Sequence, residues 1–135
     1  MWFRMLLLAG LIWLVAGCNK EDLPPPHAVH VKFVNQTGKD LSEVYVNLQE
    51  LGTLKKGKST RHYVEYERLG AQFGFALVEA VATIDGEKYY ASESCRGVCG
   101  TPSAPFGEWL PVGYYRIGIR LAPPGHYLAF VMLDD

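Results

Sequence analysis

Apolar and polar residues alternate with a period of two along most of this chain, the pattern of strands that bury one face. Val29, Val31 and Phe33 alternate with His30, Lys32 and Val34, and Asn35-Gln36-Thr37-Gly38 then interrupts the run. Val44, Val46 and Leu48 alternate with Tyr45 and Asn47, Lys55-Lys56-Gly57-Lys58 is a polar turn, and Thr60 to Tyr66 is rich in β-formers. Ala71, Phe73, Phe75 and Leu77 are expected on one face of a further strand, with Gln72, Gly74 and Ala76 on the other. The sharpest local signal is Asp85-Gly86 between Ala80–Ile84 and Glu87–Tyr90. Both residues of that pair tolerate positive φ, as a two-residue type I′ hairpin requires. Tyr115, Ile117, Ile119 and Leu121 form a later alternating run. His126 to Leu133 is apolar on both faces, which suits a central strand or a covered edge.

No stretch of a dozen residues carries a helical stripe, and turn signals recur at the spacing of a sandwich or barrel. The expected fold is therefore all-β: a single antiparallel β-sandwich over residues 28–135. With 135 residues, 49% of them hydrophobic, the chain has room for one ordinary core and not for two. A net charge of −1 offers no basic field, so nucleic acid is not an expected partner.

The N-terminus departs from the alternating pattern. Arg4 is followed by an uncharged apolar run from Met5 to Ala16, shorter than the roughly 20 residues a membrane helix needs. It has the form of a secretory signal peptide over residues 1–17. The run ends in Val15-Ala16-Gly17-Cys18. These four residues resemble the lipobox of bacterial lipoprotein precursors. The resemblance implies that the Cys18 thiol receives a diacylglycerol, that the preceding peptide is removed, and that the new amino group is acylated with a fatty acid such as palmitate. Residues 18–27 would then be the lipidated Cys and a tether stiffened by Pro24-Pro25-Pro26. More than one acyl chain makes anchoring stable, so the membrane is an expected partner through lipid alone.

Asn19 after the Cys resembles the outer-membrane sorting pattern of Gram-negative lipoproteins. Lys20-Glu21-Asp22 is similar to the surface-export tag of Bacteroidetes lipoproteins. The periplasmic face and the cell surface both stay open as destinations.

Candidate chemistry is sparse. With Cys18 lipidated, Cys95 and Cys99 remain as an even pair in an oxidising compartment, and a disulfide is expected. Gly97 gives so short a loop the freedom to close. A redox pair would prefer two intervening residues, and zinc would need a second ligand pair. His27, His30, His62 and His126 show no metal-binding helical spacing and are expected as surface imidazoles, so neither a metal site nor a cofactor is expected. Glu65 and Glu67 are spaced to share a face, which would suit a small hydrolase with a histidine, yet exposed carboxylates at a strand end usually only solvate it. Asn35-Gln36-Thr37 fits a glycosylation sequon formally and reads as a turn.

The segment from Tyr89 to Tyr115 interleaves aromatics with Gly and Pro. Phe106, Trp109, Tyr89 and Tyr90 are the candidate binding residues, since Tyr and Trp are enriched in recognition surfaces. Trp109-Leu110-Pro111-Val112-Gly113-Tyr114-Tyr115 resembles the start of a late strand in immunoglobulin-like and prealbumin-like modules. The resemblance covers about one hairpin and transfers no functional residue.

The expectation is thus an exported, lipid-anchored, non-catalytic binding or structural accessory protein of the bacterial envelope, with an envelope protein or glycan as partner. The alternative is an immunity-type lipoprotein that neutralises a toxin or inhibits an enzyme with its Gly100–Gly107 loop.

Overall fold

In a computed structural model, residues 23–92 and 108–134 are described. Among them are eleven strands: β1 (Val29–Asn35), β2 (Leu41–Val46), β3 (Gln49–Leu54), β4 (Val64–Tyr66), β5 (Gly70–Gln72), β6 (Phe75–Leu77), β7 (Ala80–Ile84), β8 (Glu87–Ala91), β9 (Glu108–Trp109), β10 (Gly113–Leu121) and β11 (Tyr127–Leu133). The chain is all-β, with no helix among the described residues.

The main sheet runs β3-β2-β7-β8-β11-β10-β1-β4. It is mixed, which corrects the expectation of a wholly antiparallel sandwich. β1 lies parallel to β10 and β8 parallel to β11, while the other pairs are antiparallel. The sheet curls into a nearly closed, barrel-like form. Side chains at its two ends approach each other: the Gln49 amide of β3 donates to the Glu65 carbonyl of β4 at 3.3 Å. Nearby, the Tyr66 hydroxyl donates to the Val46 carbonyl at 3.1 Å. Burial of Tyr66 pushes its phenol well above the ordinary tyrosine value, so the neutral donor is the form the core holds.

The interior is filled by the inward positions of the alternating runs: Val29, Val31 and Phe33 of β1, Val44 and Val46 of β2, Ile117 and Ile119 of β10, and Leu128 and Phe130 of β11. The Phe33 ring packs edge-on against both Tyr66 and Phe130, with centroids 6.2 and 6.1 Å away. Of the two places the sequence left open for β11, a central position or a covered edge, it takes the central one, flanked by β10 on one side and by β8 and β6 on the other.

Three two-residue hairpins join neighbouring strands. Asp85-Gly86 has φ of 50° and 81°, as the sequence anticipates. The other two correct it. The alternation of Val44, Val46 and Leu48 does not continue as a strand, because Asn47 and Leu48 turn with φ of 47° and 68°. Nor are Ala71 to Leu77 one strand: Phe73 and Gly74, at 51° and 83°, fold the segment into the β5–β6 hairpin. Both loops place a bulky residue in the left-handed region, where a side chain is sterically disfavoured.

Asn35, at the end of β1, is fully buried. Its amide donates to the carbonyls of Lys39 at 2.7 Å and Leu54 at 2.8 Å. Its oxygen accepts from the Thr37 amide at 3.0 Å and the Thr37 hydroxyl at 2.7 Å. The formal sequon is therefore a structural Asx turn whose nitrogen is already occupied by two carbonyls.

Candidate functional site

Cross-strand register decides which exposed side chains stand together. Tyr45 of β2 is opposite Val81 of β7, Val81 is opposite Tyr90 of β8, and Tyr90 is level with Tyr127 of β11. Residues paired directly across a sheet point to the same face. The result is one row of Tyr45, Val81, Tyr90 and Tyr127 over four adjacent strands. The three tyrosines are 41%, 52% and 47% exposed, so the row lies on the outer surface. At ordinary strand spacing it spans roughly 14 Å, the length of about four extended residues. Tyrosine supplies broad, stiff contact area at little conformational cost, which is why it dominates recognition surfaces.

The Tyr45 end continues into Leu48. This side chain is 98% exposed at the tip of the β2–β3 turn. Asp85-Gly86 fills the equivalent turn of the β7–β8 hairpin with residues that suit it, whereas Leu48 combines backbone strain with exposed apolar surface. Such a combination, held by the rest of the fold, is a pointer to function. Leu48 borders two concavities. One, of about 370 Å³, is lined by Tyr45, Leu48, Glu79, Ala80 and Val81. The other, of about 240 Å³, includes Leu48, Arg68, Leu77, Glu79 and Trp109.

Among the residues singled out by sequence, Tyr90 belongs to the tyrosine row. Trp109 is half-buried in β9 and lines the smaller groove, with the Arg68 guanidinium 5.8 Å from its ring centre. Tyr89 points the other way from Tyr90, is half-buried, and stacks on His126 at 4.6 Å. His126 in turn lies 2.9 Å from the Glu87 carboxylate. Phe106, Cys18, the expected Cys95–Cys99 disulfide and the Gly100–Gly107 segment lie outside the described residues. Tyr45, Tyr127 and Leu48 were not singled out. For the two tyrosines the signal was a matter of register between strands distant in sequence, which periodicity alone does not reveal, and Leu48 passed as part of an alternating strand.

The structure also gathers a second group. His27, His30 and Glu65 bring one ligand atom each to within 4.8 Å of one another. Glu65 is the cross-strand partner of His30, and the chain bends at His27 and Ala28 just before β1. His27 Nε2 is 3.3 Å from Glu65 Oε1. His30, expected at the surface, is instead buried, 9% exposed, and its Nε2 has no hydrogen-bond partner. Glu67, paired with Glu65 in the hydrolase reading, is not a member of this cluster.

Compared with known protein families, with curated proteins and with solved structures, the chain matches none.

Proposed function

We propose that this protein is an exported, lipid-anchored binding module of the bacterial envelope, non-catalytic, with the Tyr45-Val81-Tyr90-Tyr127 row and the adjoining Leu48 turn as its recognition face. The observation that carries the reading is the register that aligns three half-exposed tyrosines across β2, β7, β8 and β11. Exposed aromatic surface is unfavourable in water and becomes favourable on docking, so an aligned row of it argues for a partner. The partner is an envelope protein or glycan chain. The likeness to immunoglobulin-like or prealbumin-like modules is part of this proposal and rests on the Trp109–Tyr115 segment alone.

Anchoring through Cys18 is supported by the apolar run and the Val15-Ala16-Gly17-Cys18 motif. Cys18→Ser is expected to abolish incorporation of labelled palmitate in the producing cell and to leave the precursor unprocessed. Lipid labelling that persists in the variant rules out this anchor.

For recognition, a photo-crosslinking residue placed at Tyr90 is expected to give a discrete envelope adduct, protein or glycan, whereas one at Thr53 on β3 gives none. Tyr45→Ser and Tyr127→Ser are each expected to weaken capture by the equivalent of about 1 to 2 kcal/mol. Thermal stability should change by less than about 1 kcal/mol, the worth of an exposed cross-strand contact. Equal labelling from positions 90 and 53, or capture indifferent to both tyrosines, removes the row from consideration.

A further inference from the structure

We infer that His27, His30 and Glu65 form a binding site for a late first-row divalent cation of the zinc class. Two imidazoles and one carboxylate are a donor set that zinc accepts in sites with three protein ligands and one exchangeable position. The chemistry of the set excludes calcium and magnesium, which take oxygen ligands.

The buried member of the cluster carries the argument. A sealed polar atom without a partner is rare in folded proteins, and a bound ion is one of the few ordinary reasons for it. His30 Nε2 is such an atom, in a histidine more than nine-tenths buried. The His30 ring is held in place by stacking on Tyr114 at 4.8 Å and by the edge of His27 at 5.2 Å. Tyr114 also donates its hydroxyl to the Pro24 carbonyl at 2.6 Å, so the same residue steadies the segment that delivers His27.

Donor atoms around a tetrahedral zinc stand about 3.3 Å apart. The present separations reach up to 4.8 Å, so a modest contraction is needed. The two members that would move are the exposed ones, His27 and Glu65, whose side chains are largely in solvent. His30 provides the fixed point. The nearby ammonium of Lys32 lies over the Tyr63 ring, 4.9 Å from its centre.

A bound ion would join three separate pieces of backbone: the segment before β1, β1 itself, and the edge strand β4. The fourth position would face solvent, open to water or to a donor from a partner.

Calorimetric titration of the purified full-length protein with zinc chloride tests this. One ion per chain is expected, with cobalt giving the visible absorption of a low-symmetry four-coordinate site. Glu65→Gln and His27→Gln, both at exposed positions and so compatible with folding, are expected to weaken binding about tenfold or more each, and the double variant to lose it. His126→Ala, which removes the separate His126–Glu87 pair, should leave affinity and stoichiometry unchanged. Weak binding at several ions per chain, or binding that survives the double variant, would mean adventitious surface coordination and overturn the site.

Discussion

Asn35→Ala is expected to lower the stability of the domain by about 3 kcal/mol, the scale for stripping several partners from a buried polar side chain. The carbonyl of Leu54 would be left inside the protein without its donor, and the turn to Lys39 would lose its two bonds to Thr37. Asn35→Asp provides the sharper test. It keeps the shape and the acceptor but replaces the amide nitrogen with an oxygen facing two carbonyls. A carboxylate there is held against like partial charge and away from water, which raises its pKa. The folded state then favours the protonated form, so the stability of this variant should rise as pH falls and decline as the acid ionises. Urea denaturation of both variants between neutral and mildly acidic pH measures this. An Asn35→Asp protein as stable as the parent at neutral pH would show that the amide nitrogen contributes nothing.

Phe33→Ala should have a still larger effect, about 4 kcal/mol, because a fully enclosed ring leaves a cavity its surroundings refill only in part. Phe33 is fully buried in β1, between β10 and β4, and its two aromatic contacts come from opposite parts of the sheet: Tyr66 in β4 and Phe130 in β11. Truncation therefore weakens the packing that holds the N-terminal strand between its neighbours. A lowered urea midpoint with an unchanged slope is the expected outcome. A loss below about 1 kcal/mol would indicate that the core collapses around the vacancy without consequence.

What the sequence disclosed follows from how far each structural signal reaches along the chain. The β7–β8 hairpin was legible because Asp85-Gly86 supplies both positive φ angles within two residues. β1 was legible because its inward positions Val29, Val31 and Phe33 are apolar ahead of the buried Asn35, and β11 because its run is apolar on both faces. The Asn47-Leu48 turn was hidden, since Leu48 continues the apolar alternation and is a poor occupant of the left-handed region. The Phe73-Gly74 turn was hidden too, because both residues fitted the alternating pattern of a single strand from Ala71 to Leu77. The parallel pairs could not be read at all, because β1 and β10 are separated by most of the chain and nothing local records their register. The histidine cluster was concealed for a related reason. Residues three apart in an extended segment face opposite ways, and only the bend at His27 and the pairing of His30 with Glu65 bring the three together.

The strand order also governs when the protein can become folded. β10 and β11, the last two of the described strands, occupy the middle of the main sheet, between β8 on one side and β1 on the other. Early hairpins can close on their own, but among the described residues β1 has no long neighbour until residues 113–119 arrive, because its other strand partner there is the three-residue β4. Contacts so distant in sequence are slow to form, since a large loop must close before they contribute. A chain emerging N-terminus first therefore carries an apolar, unsatisfied ribbon until β10 and β11 have followed, and a chain truncated before β10 is left as three pieces of sheet, β3-β2-β7-β8, β5-β6-β9 and β1-β4, with no strand pairing between them. The sheet is thus completed only when β10 and β11 insert between β8 and β1.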